Sequence, residues 1–367
     1  MTVQEIRPDR FEWLDPSRYT FSLGVEAGGA TWVSGQTASR HDPDTGGVTS
    51  GGVVGEQAAV CWAKTGAVLA AAGRIPADVT ELVEYVTAGG LADAAARTAA
   101  RPTDREPSVM VVESLVRPDA DLEVEVVAGG PPGHVRLPQL LPIDDAGRVV
   151  APDDFVAQCA WVLEEAGRRL AAHGLDLSHV ARVVQQTTPA TRSRYRDTAA
   201  ARRELLGPTF PASTGVLVSR LPHPEVLVAI DVWAAAEPKA VVPYATDAYA
   251  ALTFSPAVTA GGLVFISGTT AWDPASGETV APDDIRAQAE FIYGEIARVC
   301  ELAGTSIDHL VKTVEYVTPA GAGRYREVAE VRRQVLGRPF PVSTGVVVAG
   351  LLGRSWHLEV EAVAALP

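Results

Sequence analysis

Along the last hundred residues the hydrophobic positions switch period several times, and each switch marks an element. GLVFISGTT is an apolar run of strand length, and the DPASGE after it has turn chemistry. PDDIRAQAEFIYGEIARVCELAG then places apolar side chains at helical spacing, with Asp283 or Asp284 as N-cap and Gly304 at the stop. LVKTVEYV reads as a strand and YREVAEVRRQVLG as a short basic amphipathic helix ending at Gly337. Two strands close the segment, PVSTGVVVAGL and the alternating WHLEVEAVA. The order strand, strand, helix, strand, helix, strand, strand predicts an α+β layer pair, a sheet with two helices on one face.

The same grammar recurs. HVARVVQQTTPATRSRYRDTAAARRELLGPTFPASTGVLVSRL from His179 aligns without a gap to HLVKTVEYVTPAGAGRYREVAEVRRQVLGRPFPVSTGVVVAGL from His309, a shift of 309 − 179 = 130. That shift also carries VAPDD at Val150 onto VAPDD at Val280 and Gln158 onto Gln288. A more worn copy lies upstream, where VEYVT at Val83 answers VEYVT at Val314, SGQTA from Ser34 answers SGTTA from Ser267, and LEVEVVA from Leu122 answers LEVEAVA from Leu358. The expectation is three tandem units, 1–131, 132–240 and 241–367. The opening of the second is compressed to PPGHVRLPQLLPID, so its first strand is expected to be short or lost.

Composition narrows the chemistry. The 367 residues carry a formal net charge of −14, with 47% hydrophobic and 21% charged residues and no long Lys/Arg block, which argues against nucleic acid or an anionic membrane as partner. Cys61, Cys159 and Cys300 lie far apart on expected helix faces with no CxxC pair, and no apolar run reaches the ~18 residues needed to span a bilayer. The N-terminus lacks the apolar core of a signal peptide, so a cytoplasmic location is expected. No GxxxxGK[ST] occurs, and GGVVGE at Gly51 follows no predicted strand; no cofactor or metal is expected.

SGQ after an early strand, the central VxxxxYVT strand and the closing LxVExE strand resemble the reactive-intermediate deaminase (Rid, or YjgF) family. The resemblance implies compact chorismate-mutase-like α+β domains that assemble as trimers with ligand clefts between neighbours. Three copies on one chain would form an intramolecular pseudo-trimer, monomeric or dimerising elsewhere, in which each cleft is free to diverge. Imine and enamine hydrolysis in that family relies on an arginine in a P-x-R-S-T-x-V strand; here Pro107, Ser213 and Ser343 stand at its position, while the closing-strand acid is kept as Glu125, Asp231 and Glu361. A narrower resemblance is to chorismatases, with their YRxxxxxR helix and FPAATG. Tyr195, Arg196 and Arg202 before FPASTG, and Tyr325, Arg326 and Arg332 before FPVSTG, match that pattern.

The candidate catalytic residues are therefore Glu361, Ser343, Thr344 and His357. Gly345, Tyr325, Arg332, Tyr195, Arg202, Ser213, Thr214 and Phe254 are the candidate substrate-binding residues. Alternation puts Glu359 and Glu361 on one strand face, either solvated or used, and desolvation would raise the proton affinity of a cleft carboxylate. The small residues at 213–215 and 343–345 either allow close packing or present hydroxyls and N–H groups to a ligand. Arg202/Arg203 and Arg332/Arg333 form either a solvated helix face or a relocated carboxylate anchor. His179 and His309 read as turn residues, and His41, His134 and His357 have no partner at ligand spacing. With no G-x-S-x-G elbow, a serine hydrolase is disfavoured. The reading is a cofactor-independent acid/base enzyme acting on a reactive imine, enamine, enone or cyclohexadienyl small molecule, with a chorismatase-like hydrolase or a non-catalytic binding protein as alternatives. One working cleft, built on the closing strand of the third unit, is expected.

Overall fold

The computed structural model describes residues 2–42, 44, 46–131 and 133–367. It is a mixed α+β structure whose three larger sheets repeat one strand order. In each, a closing strand lies antiparallel between an opening strand and a central strand, and the central strand pairs in parallel with an edge strand. In the first sheet the opening, closing, central and edge strands are Ala30–Thr37, Leu122–Gly129, Val79–Val86 and Ser108–Val111. They are His134–Leu140, Val228–Ala235, Val180–Thr187 and Ala212–Leu217 in the second. In the third they are Leu263–Thr270, Leu358–Ala365, Leu310–Val317 and Val342–Val347. The parallel pair follows from the helical crossover between its strands. Beyond the opening strand the first sheet carries Gly24–Ala27 and Gln4–Ile6 and the third Ala257–Ala260 and Ala240–Val241; among the described residues the second sheet begins at His134–Leu140.

Three long helices, Val54–Ala71, Phe155–Ala171 and Ile285–Leu302, cover the outer faces of the sheets, the last two capped by the carboxylates of Asp154 and Asp284. Cys61, Cys159 and Cys300 are buried on them. The second crossover departs from the expected helix. Pro189–Thr198, which includes Tyr195, is a 3-10 stretch before the α-helix Ala199–Leu206. There the hydroxyls of Thr191 and Thr198 bond the carbonyls of Thr188 and Tyr195, the local competition that weakens α-helix. GGVVGE does follow a strand, a two-residue ribbon of Val48–Thr49 with Arg40–His41 too short to show as a pattern. No helix among the described residues is long and apolar enough to cross a membrane.

Strand alternation gives each sheet a second, inner face, and the three inner faces meet. At one end Trp32, Val127, Ala181, Trp233, Phe265, Val311 and Val363 form one apolar cluster; at the other Tyr85, Met110, Val184, Val216, Val314, Tyr316 and Val346 form another. Between them lies a buried charged layer. The central strands contribute Glu81, Arg182 and Lys312, and the closing strands Glu125, Asp231 and Glu361. Lys312 binds Glu125, Arg182 binds Glu361, and Glu81 lies 3.5 Å from both Arg136 and Arg182. Edge strands cross over as well: Ser114–Leu115 pairs with the third sheet's edge strand, and Gly350–Leu351 with the second's.

Removing one partner of a desolvated pair leaves an uncompensated buried charge. Arg182→Met should therefore destabilise the chain by about 3–5 kcal/mol in urea unfolding, and adding Glu361→Met should restore most of that loss. A single substitution costing under about 1 kcal/mol would show the pair to be solvated.

Candidate functional site

The clefts that the resemblance implies fall at the seams, where the edge strand of one sheet meets the opening strand of another. Between the second and third sheets, Ser213 N–H donates to Ser267 Oγ (2.8 Å) and Gly268 N–H to Thr214 Oγ1 (3.1 Å). Glycine is required at 268, since a Cβ there would stand 1.9 Å from Glu359 Oε1. Glu359 is 4% exposed, and the Gly215 N–H is directed at it. Burial, then the neighbouring charge of Glu361, push its carboxyl up to about 8, so it holds a proton at neutral pH.

Arg202, on the short helix Ala199–Leu206, is turned inward and 3% exposed, whereas Arg203 beside it is exposed. Its guanidinium donates to Ser213 Oγ (3.0 Å), Gln185 Oε1 (3.0 Å) and the Thr253 carbonyl (3.4 Å). All three partners are neutral. The Tyr195 hydroxyl lies 2.5 Å from the point where a Cβ at Gly215 would be, and half-buried Phe254 packs edge-on to Tyr249. Ser213 and Gly215 are two residues apart on one strand, so anchor and acid are separated by about 7 Å of backbone.

The cleft between the first and third sheets repeats this plan. Ser343 N–H donates to Ser34 Oγ (2.9 Å), Gly35 N–H to Thr344 Oγ1 (3.1 Å), and Arg332 to Ser343 Oγ (2.7 Å). Tyr325 lies over Gly345, and Glu123 Oε1 would be 2.0 Å from a Cβ at Gly35. Burial and then Glu125 push Glu123 up to about 8, against the nearby Lys64. Here, however, Arg332 is ion-paired with Glu315 (3.2 Å). The third seam has lost the set. Ala229 stands where Glu123 and Glu359 do, and Pro107 and Val109 where Ser213 and Gly215 do. Asp231 there binds Ser108 and is pushed up to about 6, chiefly by burial. The recess beside it, lined by Glu81, Arg105, Arg136, Arg182 and Trp233, encloses about 20 Å³, room for a water molecule.

The structure thus distributes the candidates between two clefts. Tyr195, Arg202, Ser213 and Thr214 lie at the seam with the third sheet, whose closing strand carries Glu361, and Phe254 packs on Tyr249 beside it. Ser343, Thr344, Gly345, Tyr325 and Arg332 face the first sheet instead, with Thr344 bonded to Glu125. Glu361 itself is bound to Arg182, and the proton-holding carboxyl is its neighbour Glu359. His357 belongs to neither cleft: its N–H donates to Gln288 Oε1 (2.8 Å), its ring bonds Thr318 (3.2 Å), and it lies against Gly321. His134 accepts from the Trp233 indole (2.9 Å) amid aromatic rings, where burial lowers it to about 4 and keeps it neutral. Among the described residues no His, Cys, Asp and Glu side chains gather as metal ligands.

Residues 245–366, the third sheet and its helices, match the family model described as Endoribonuclease L-PSP. A RutC family protein of Pyrococcus horikoshii is 30% identical over 111 residues, covering 30% of this chain and 85% of that protein. The chain belongs to the Rid/YjgF family. Another relative, the 2-iminobutanoate/2-iminopropanoate deaminase of Bos taurus, is 30% identical over 111 residues, 30% of this chain and 78% of that enzyme. A crystal structure of a chorismatase aligns with TM-score 0.53 at 16% identity, over 78% of this chain and 93% of that one, a likeness of fold. In this Rid/YjgF chain a helix-borne guanidinium rests on the serine at the family's arginine position in two clefts, Arg202 on Ser213 and Arg332 on Ser343.

Folded Glu359 holds its proton more tightly than an unfolded glutamate near 4.3, so its contribution to stability falls as pH rises from about 4 to about 8 and is constant beyond. Urea unfolding should find Glu359→Gln no more stable than the parent at pH 4 but more stable at pH 9. Equal midpoints at pH 9 would contradict a buried, proton-holding Glu359.

Proposed function

We propose that the chain is three tandem Rid-like units, 1–131, 132–240 and 241–367, closed into an intramolecular pseudo-trimer. On this reading the seam between the second and third units is a cofactor-independent acid/base site for a small molecule of specialised metabolism. What carries the reading is the meeting, within three residues of one edge strand, of a proton-holding carboxyl at Gly215 and a buried guanidinium at Ser213. The relatives that act on imines, and the chorismatase-like fold, support the same direction.

The chemistry needs little more. An enamine and an enol ether share one demand, protonation at carbon to give an iminium or oxocarbenium ion, and protonated Glu359 is placed to supply that proton. The carboxylate left behind takes a proton from water as that water adds to the cation. Collapse of the adduct releases ammonia from an enamine or an alcohol from an enol ether, and the carboxyl ends as it began. Enones and cyclohexadienyl substrates enter the same scheme by tautomerisation. Arg202 holds the substrate's acidic group, with Tyr195 over Gly215 beside it.

Purified protein offered chorismate, or a 2-aminoacrylate-generating mixture, should release pyruvate from one of them by mass spectrometry. Glu359→Gln should lower that rate by about 10²–10⁴-fold while ligand binding survives. Release of pyruvate from chorismate would select the chorismatase-like reading. Unchanged rates in Glu359→Gln would remove the acid from the mechanism, and a ligand bound without any turnover would leave a binding protein.

A further inference from the structure

The two surviving clefts share one plan but differ at the central-strand position that faces the arginine. Gln185 in the second sheet and Glu315 in the third occupy the same register, opposite Gly215 and Gly345 respectively. Both face the inward-turned arginine. Glu315 is fully buried and fully used: it pairs with Arg332 at 3.2 Å and accepts the hydroxyls of Tyr293 and Tyr325. Arg332 is thereby neutralised and held. In the second sheet the carboxylate is an amide and the counterpart of Tyr293 is Leu163, at the shift of 130. Gln185 gives its oxygen to Arg202 and keeps an amide nitrogen with no partner, although the residue is 0% exposed.

A buried guanidinium bonded only to neutral groups is costly, because buried charges are ordinarily paired. An unpartnered amide N–H beside it is a second group in want of an acceptor. A carboxylate would satisfy both, taking charge-assisted bonds from Arg202 and a further bond from Gln185. The other cleft has an unpartnered donor too, Arg332 Nε, but no unmatched charge. Its cation is already matched, and a second anion would meet Glu315.

We infer that position 185/315 sets ligand charge, so that the Arg202 cleft takes a carboxylate-bearing ligand and the Arg332 cleft a neutral one. The inference rests on the acid/base reading only for its choice of cleft. Gln185 is here a specificity-determining residue, acting through the guanidinium it leaves unmatched.

Pyruvate and its neutral amide serve as probes, with the full chain in calorimetry and in soaked crystals. Wild type should bind one pyruvate, seated on Arg202, and none at Arg332. Gln185→Glu should weaken pyruvate by roughly tenfold or more. Glu315→Gln should raise the stoichiometry from one to two. Pyruvate equally occupying both wild-type clefts, absent from both, or unaffected by the charge exchange would overturn the inference. The gain of a site in Glu315→Gln decides the matter even if Gln185→Glu fails to fold. Pyruvate bound as expected with no substrate turned over would sink the enzymatic reading alone, and turnover dependent on Glu359 without charge selection would sink this one alone.

Discussion

The arrangement depends on a layer of charge buried between two apolar layers. The inner faces of the three sheets could slide against one another if they were apolar throughout, because hydrophobic contact carries little direction. Lys312 with Glu125, and Arg182 with Glu361, supply the direction. Each pair joins the central strand of one sheet to the closing strand of another, and mispairing would leave charges buried alone. Burial also explains the seam without such a pair. Its central strand carries Glu81 where the others carry a cation, so Asp231 turns to Ser108 and Gln186.

That layer also governs the clefts. Closing strands alternate, so the residue two before each paired acid points the same way. In the first and third sheets this places Glu123 and Glu359 one step outward from Glu125 and Glu361, against a glycine of the opening strand and beyond the reach of Lys312 or Arg182. The inner acid is bound to a cation, while the outer acid stays protonated near neutrality because burial and the inner acid's charge both oppose its ionisation. The division of labour between two carboxylates two residues apart is thus a consequence of how the sheets are fastened.

The alternation of WHLEVEAVA and the helical period of PDDIRAQAEFIYGEIARVCELAG made the closing strand and the long helix of the third sheet legible in advance. The inward turn of Arg202 and Arg332 was one of two readings that the sequence left open. Neither the choice between Glu359 and Glu361 nor the division of Ser343 and Glu361 between different seams could be read. Both depend on partners far away in sequence, Arg182 for Glu361 and Glu125 for Thr344, and periodicity reports which face a side chain shares but not what it meets there. His357 misled for a related reason: it precedes the acidic strand in sequence yet belongs to the loop held by Gln288. The signal that was available lay in the glycines of SGQ and SGT, whose missing side chains admit Glu123 and Glu359.

The central claim is that the outer carboxyl holds its proton at neutral pH while the inner one is tied to a cation. Neutron diffraction from a deuterated crystal at pH 7 observes this directly. The account predicts a deuteron on Glu359, with Arg182 bonded to the neighbouring Glu361. A bare Glu359 would contradict it.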